Sequence, residues 1–225
     1  MNSRISTGLW LLASGFFVVI SGCAQIDSIG TATRKTAEMF VGDTALELVR
    51  GMENERYPDR RRRSINKLVE YDYGQRDPYT KRYAQIARTD EDFLVRATAV
   101  RALNRARYQP GTPVLIQALT DAHQMVRLEA AKALANVPDP DAAGPLVTVV
   151  NNAQEDRDVR IAAADALKHY RTIDVARSLA GQLGGNDFGV AWQSRQSLAK
   201  LTGRDLRYNE SAWLGYLTGP DKPLG

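Results

Sequence analysis

Apolar and small residues recur along this chain in one repeated frame, at offsets 0, 4, 7, 8 and 11 from a leading valine. The frame reads Val95, Ala99, Ala102, Leu103, then Val126, Ala130, Ala133, Leu134, then Val159, Ala163, Ala166, Leu167. Offsets of this kind draw one stripe on a helix of period 3.6. A fourth copy keeps Val190, Ser194, Ser197 and Leu198, and an earlier fifth survives mainly as Ile65 and Leu68. The leucines follow one another at 35, 31, 33 and 31 residues. A period between about 20 and 50 residues marks a stacked array, in which a unit buries its stripe only against its neighbours.

A second kind of helical segment precedes each frame, at residues 79–87, 112–119, 145–150 and 175–183. Pro113 and Pro145 fall where a first helical turn tolerates a missing N–H, and Thr112, Asp141 and Asp174 are expected caps. Acidic or amide-rich turns lead into the frames themselves: Thr89 to Asp92, Thr120-Asp121, Gln154 to Asp156 and Gly185 to Asp187. Upstream, Asp59 is expected to cap a helix over 60–71, and residues 34–52 carry an apolar face interrupted by Gly42. No run alternates β-branched and polar residues, so the expected fold is all-α, built of helix pairs.

The run from Asp121 through Val126-Arg127, Ala130 and Ala133-Leu134 resembles a HEAT repeat. It is most similar to the short HEAT-like variety first noted in phycobilin lyases and common in bacterial proteins. The resemblance covers about residues 58–217. Leu201 to Asp205, with Tyr208-Asn209 and Ala212-Trp213, resembles the closing segment of bacterial HEAT-repeat lipoproteins. The period is shorter than the roughly 40 residues usual for HEAT units. Of the ankyrin signature only Thr112-Pro113 is present, and the tetratricopeptide signature is missing. The resemblance implies a right-handed α-solenoid of about five HEAT-like helix pairs. It also implies that Arg96, Arg127 and Arg160 are structural rungs, with Asp92, Asp121 and Asp158 as candidate partners; a ligand-binding role is the alternative. The second helix of each pair would line a concave face carrying Arg101, Arg105, Glu129, Lys132, Lys168, His169 and Lys200. These side chains are either a partner-binding surface or simply solvated.

Composition changes this picture little, and the N-terminus changes it more. The chain of 225 residues carries a net charge of +4 with acids and bases interspersed, a statement about solubility rather than nucleic-acid binding. Arg4 precedes an uncharged run from Leu9 to Ile20, too short to span a membrane and of the length of a signal-peptide apolar core. Ile20-Ser21-Gly22-Cys23 then resembles the bacterial lipobox, which implies lipidation of Cys23, the one cysteine in the chain. A stray thiol, or one in an uncleaved N-terminal anchor, is the alternative reading. Ala24 after the cysteine implies outer-membrane sorting in lipoproteins of this kind. The expected organisation is a signal peptide at 1–22, a lipidated tether at 23–33, an N-terminal helix at 34–56, the solenoid at 57–217 and a tail at 218–225.

Candidate chemistry is sparse. His123 and His169 lie in different repeats without zinc-ligand spacing, and there is no Gly-rich phosphate loop or nucleophile elbow. Arg60 to Arg63 read as a solvated face, or as a patch attracted to an anionic surface. Trp192 and Trp213 are expected to close the open end of the core. The sequence reads as a non-catalytic, lipid-anchored scaffold or adaptor with a protein partner at the cell envelope, on the outer membrane facing the periplasm. A monomer without cofactor, small-molecule substrate or nucleic acid is expected. The alternative is a lyase or chaperone-like protein of the phycobilin-lyase HEAT type.

Overall fold

The computed structural model describes residues 44–219 and Leu224; Cys23, the signal segment and the tether lie outside them. Among the described residues there are eleven α-helices, four short 3-10 helices and no strand. The helices come in pairs: α1 (Ala45–Met52) with α2 (Pro58–Leu68), α3 (Tyr79–Thr89) with α4 (Phe93–Arg105), and α5 (Thr112–Ala118) with α6 (Gln124–Asn136). They continue as α7 (Ala143–Asn151) with α8 (Arg157–Ala166) and α9 (Ile173–Gly181) with α10 (Phe188–Thr202), and α11 (Glu210–Thr218) closes on α9. Of the expected 34–52 helix, the part before residue 44 is outside the described residues.

Local chemistry explains where the helices start. Asp92, His123, Asp156 and Asp187 each stand at the N-cap of a second helix and accept a backbone N–H of the first turn. Thr44 and Glu47 cap α1 reciprocally. Four expected caps are corrected. Asp59 lies inside the first turn of α2, after an uncapped start at Tyr57, and Asp174 lies inside α9, which Thr172 caps. Thr112 is the first residue of α5 and donates its hydroxyl to Asp139, and Asp141 gives its N–H to Asp139. An acid in the first turn meets the same positive helix end as a cap does, so pattern alone misplaces it by one or two residues. At its other end α10 stops at Gly203, whose φ of +73° suits the left-handed C-terminal position.

Stacking then follows from the frame. Val95, Val126 and Val159, and the leucines Leu103, Leu134, Leu167 and Leu198, are all fully buried. Ala99, Ala130 and Ala163 are buried with them, and their small size lets the second helices α2, α4, α6, α8 and α10 pack directly on one another. The first helices touch their counterparts less closely, which makes the second helices the inner row of the stack. The core is one continuous cluster from Leu48 to Leu217. Trp213 plugs its C-terminal end, fully buried with its indole N–H donated to the Arg207 carbonyl at 3.0 Å. Trp192 is 46% exposed on the outermost layer.

Candidate functional site

The frame arginines form a ladder along the turns between first and second helices. Arg96 donates through Nη1 to the carbonyls of Asp90 and Glu91 in the turn before its own helix. Its Nε and Nη2 reach forward to both oxygens of Asp121 in the next layer, each at 2.8 Å. Arg127 repeats the geometry with the carbonyls of Asp121 and Ala122 behind it and Glu155 ahead, at 2.8 and 2.7 Å. The guanidinium fork supplies two parallel bonds to a carboxylate and a further edge for the carbonyls, which an ammonium cannot do. Each acid serves twice. Asp121 also accepts the His123 N–H, and Glu155 the Asp156 N–H, so the residue that joins two layers also shapes the turn.

Arg160 departs from the pattern. It donates to the Val150 carbonyl and, ahead, to the neutral Gln182 side chain at 2.8 Å. Asp158, a candidate acid, is exposed in the first turn of α8 and does not meet it. Asp92, the other, caps α4. A further rung precedes these three. Arg61 binds the carbonyls of Asn54 and Glu55 and reaches forward to both oxygens of Asp90, each at 2.8 Å. It stands before Leu68 as Arg96 stands before Leu103, a signal hidden because Arg60 occupies the valine position. The basic run from Arg60 to Arg63 is thereby divided. Arg61 is in the ladder with 11% of its side chain exposed, Arg62 pairs with Asp59 at 2.9 Å, and Arg60 and Arg63 are exposed.

These pairs set the protonation of their members. Partial burial pushes the Asp121 carboxyl up, but Arg96 and the His123 N–H outweigh it and hold the group below its ordinary range. Hydrogen bonds to Asp121 and Glu155 raise the Arg96 and Arg127 guanidiniums respectively. In the last layer Ala191 replaces the arginine, and Arg195 instead binds Asp205 in the closing segment, with Nε at 2.9 Å. That bond raises Arg195 and lowers Asp205.

The inner row presents the other sequence-predicted residues. Arg101 crosses from α4 to Glu129 on α6 at 3.0 Å, and Lys132 approaches the same carboxylate at 3.8 Å. Glu129 is buried, whereas half of each cation's side chain remains exposed. Lys168 is held by Asp165 at 2.8 Å, and Gln193 bonds the same acid from the next layer. Arg105, His169 and Lys200 are exposed at the far ends of their helices. Arg101, Glu129 and Lys132 therefore form one group, while Lys168 and His169 lie one layer beyond α6 and Lys200 two. Two concavities meet at Arg101. One of about 570 Å³ runs between α2 and α4 over a floor of Leu94, Ala97 and Met125. The other, of about 320 Å³, is bounded by Arg101, Asn104, Arg105, Arg107 and Asn136. Arg107, which pattern reading missed, follows α4 with a left-handed φ of 47°.

Elsewhere, His123 stacks on Phe93 with ring centroids 3.5 Å apart and uses Nδ1 to cap α6. No described helix is long and apolar enough to cross a membrane.

A sequence profile for HEAT repeats matches the chain over residues 80–168 and again over 112–199. Solved structures share the arrangement. An engineered protein superposes with a TM-score of 0.59 and 19% identity, over 82% of this chain and 92% of that one. The complex of CpcE and CpcF of phycocyanin lyase from Nostoc sp. PCC7120 gives a TM-score of 0.65 and 17% identity, over 93% of this chain and 77% of that one. Likeness at such identities concerns the fold. No curated protein matches the chain.

Proposed function

This chain belongs to the HEAT-repeat family, and from that premise we propose that it is a non-catalytic adaptor whose inner row binds a protein partner at the bacterial cell envelope. The observation that carries the reading is a division of labour within each second helix. Valine, arginine, small residues and leucine are consumed in holding layers together, whereas Arg101, Arg105, Lys132, His169, Gln196 and Lys200, at positions between or just beyond them, stay exposed. A scaffold held together by its frame residues, with exposed polar side chains on the row between them, is suited to recognition. Fold likeness to a lyase complex supplies no reacting group and carries no activity by itself.

The lipobox-like Ile20 to Cys23 supports anchoring through an acylated Cys23, on the outer membrane facing the periplasm. Two acyl chains or more would hold the protein stably at the surface. Mass spectrometry of the mature N-terminus tests this part: diacylated or triacylated Cys23 is expected, and an intact Met1 with a free thiol refutes it. The adaptor reading is tested in cells with photo-crosslinking residues at Lys132, Gln196 and Lys200 on the inner row, and at Lys81 and Arg177 on the first helices. Adducts with a discrete partner from the inner row alone are expected. Equal labelling from both sides, or none, refutes it.

A further inference from the structure

Resting on the adaptor reading, we infer that the first three layers bind an extended acidic peptide segment of the partner, laid across α2, α4 and α6. Charge points to this class first. The carboxylates around the two concavities are already matched: Asp59 by Arg62, Glu70 by Lys67 at 3.3 Å, and Glu129 by Arg101 and Lys132. The side chains of Arg105 and Arg107 line the second concavity without a hydrogen-bond or ion-pair partner among the described residues, so its free charge is positive. Arg101, with 51% of its side chain exposed, stands where the two concavities join and can turn to an incoming acid.

The floor and walls select a peptide among polyanions. Met125, 37% exposed, lies with Leu94 and Ala97 on the floor of the larger concavity, a place for an apolar side chain. Among the described residues no exposed aromatic lines either concavity, so they offer no stacking platform of the kind that single-stranded nucleic acid uses. Asn136 donates to Asn104 at 3.0 Å across the wall. An amide pair retains both donor and acceptor capacity, which matches a peptide main chain; a phosphate oxygen only accepts. A flat anionic membrane cannot enter the concavity between helices.

Spacing gives the motif. Neighbouring helix axes lie about 8–10 Å apart, and an extended chain advances roughly 3.3 Å per residue. Each step from one helix to the next thus spans about three residues, and the two steps from α2 to α6 about six. The matching segment carries an acidic residue at every third position with an apolar residue between.

The test is fluorescence anisotropy of the full-length chain in mild detergent with a labelled peptide carrying glutamate at every third position and a central leucine. Saturable, salt-sensitive binding is expected, with the lysine-for-glutamate peptide inert. Arg105→Glu with Arg107→Glu, at exposed positions, should weaken binding about tenfold or more, the equivalent of two partly exposed ion pairs. Arg105→Gln with Arg107→Gln should give an intermediate loss, and thermal unfolding of both variants should match the parent. Equal binding of both peptides, or no loss in the reversed variant, overturns the inference. So does tighter, Arg105-dependent binding of single-stranded DNA or of phosphatidylglycerol vesicles. Inner-row crosslinking that persists without glutamate-peptide binding overturns the acidic chemistry alone and leaves the adaptor reading standing.

Discussion

Removing Arg127 tests whether the ladder or the apolar stripe holds neighbouring layers together. Its guanidinium makes four hydrogen bonds, two to Glu155 and two to carbonyls of the preceding turn. The side chains of Arg127 and Glu155 are 20% and 8% exposed. Arg127→Met keeps the stem and leaves a nearly buried carboxylate without its cation. Breaking a fully buried pair costs about 3–5 kcal/mol, and the part-exposed arginine places this one near the lower end, about 3 kcal/mol. Arg160→Met removes two hydrogen bonds to neutral acceptors and strands no charge, so about 1–2 kcal/mol is expected. Arg127→Met combined with Glu155→Met leaves no charge buried, and should cost about 1 kcal/mol, far below the sum of the single changes. Urea unfolding followed by far-UV circular dichroism measures these three variants and Glu155→Met alone, with the slope checked against the parent. Equal losses for Arg127→Met and Arg160→Met, or additivity of the double variant, would refute the ladder as the tie between layers.

Further outcomes follow from the same structure. Asp121 is held below its ordinary value of 3.8 in the fold, so the unfolded chain takes up the proton first as pH falls. The stability from this group is complete above about pH 5 and lost as pH drops through the folded pKa; Asp121→Asn should flatten that acid limb of the unfolding midpoint, and an unchanged limb contradicts the assignment. A Cβ on Gly74 would fall 1.9 Å from the Leu68 carbonyl oxygen, a backbone atom with no rotamer to yield. Gly74→Ala should therefore destabilise by about 1–3 kcal/mol in the same denaturation assay, and a neutral result would mean that the turn after α2 shifts freely. Leu134→Ala should cost about 2–5 kcal/mol, and Leu198→Ala, equally buried but in the last layer, less. Equal losses would indicate one indivisible core rather than stacked units.

The layers were legible because stacking is a periodic problem. Val126, Ala130, Ala133 and Leu134 must repeat wherever one second helix meets the next, and that repetition needs no knowledge of loops. The arginines were legible for the same reason, but their acceptors were not. Asp121 lies 25 residues beyond Arg96, and Glu155 lies 28 beyond Arg127, so the interval depends on how each loop folds back. Gln182 carries no charge to mark it as the partner of Arg160, and Arg61 was masked by three neighbouring arginines. On the inner row, Arg101 and Lys132 were visible as surface positions, while their shared contact with Glu129 emerged only when α4 and α6 were side by side. Arg107 was out of reach of helical periodicity because it lies past the end of α4, in a left-handed turn.

Each rung of the ladder points the same way, from an arginine in one layer to an acceptor in the next, and this polarity bears on how the gene could lengthen. A duplicated α5–α6 unit carries both halves of the joint, Asp121 to receive and Arg127 to give. Inserted in tandem, the first copy's Arg127 would meet the second copy's Asp121, and the second copy's Arg127 would meet Glu155. Duplicating α9–α10 would instead set Ala191 before a new Gln182, a joint with a receiver and no giver. Such an array gains units from its middle, while its last layer serves as a terminus that cannot be copied without loss.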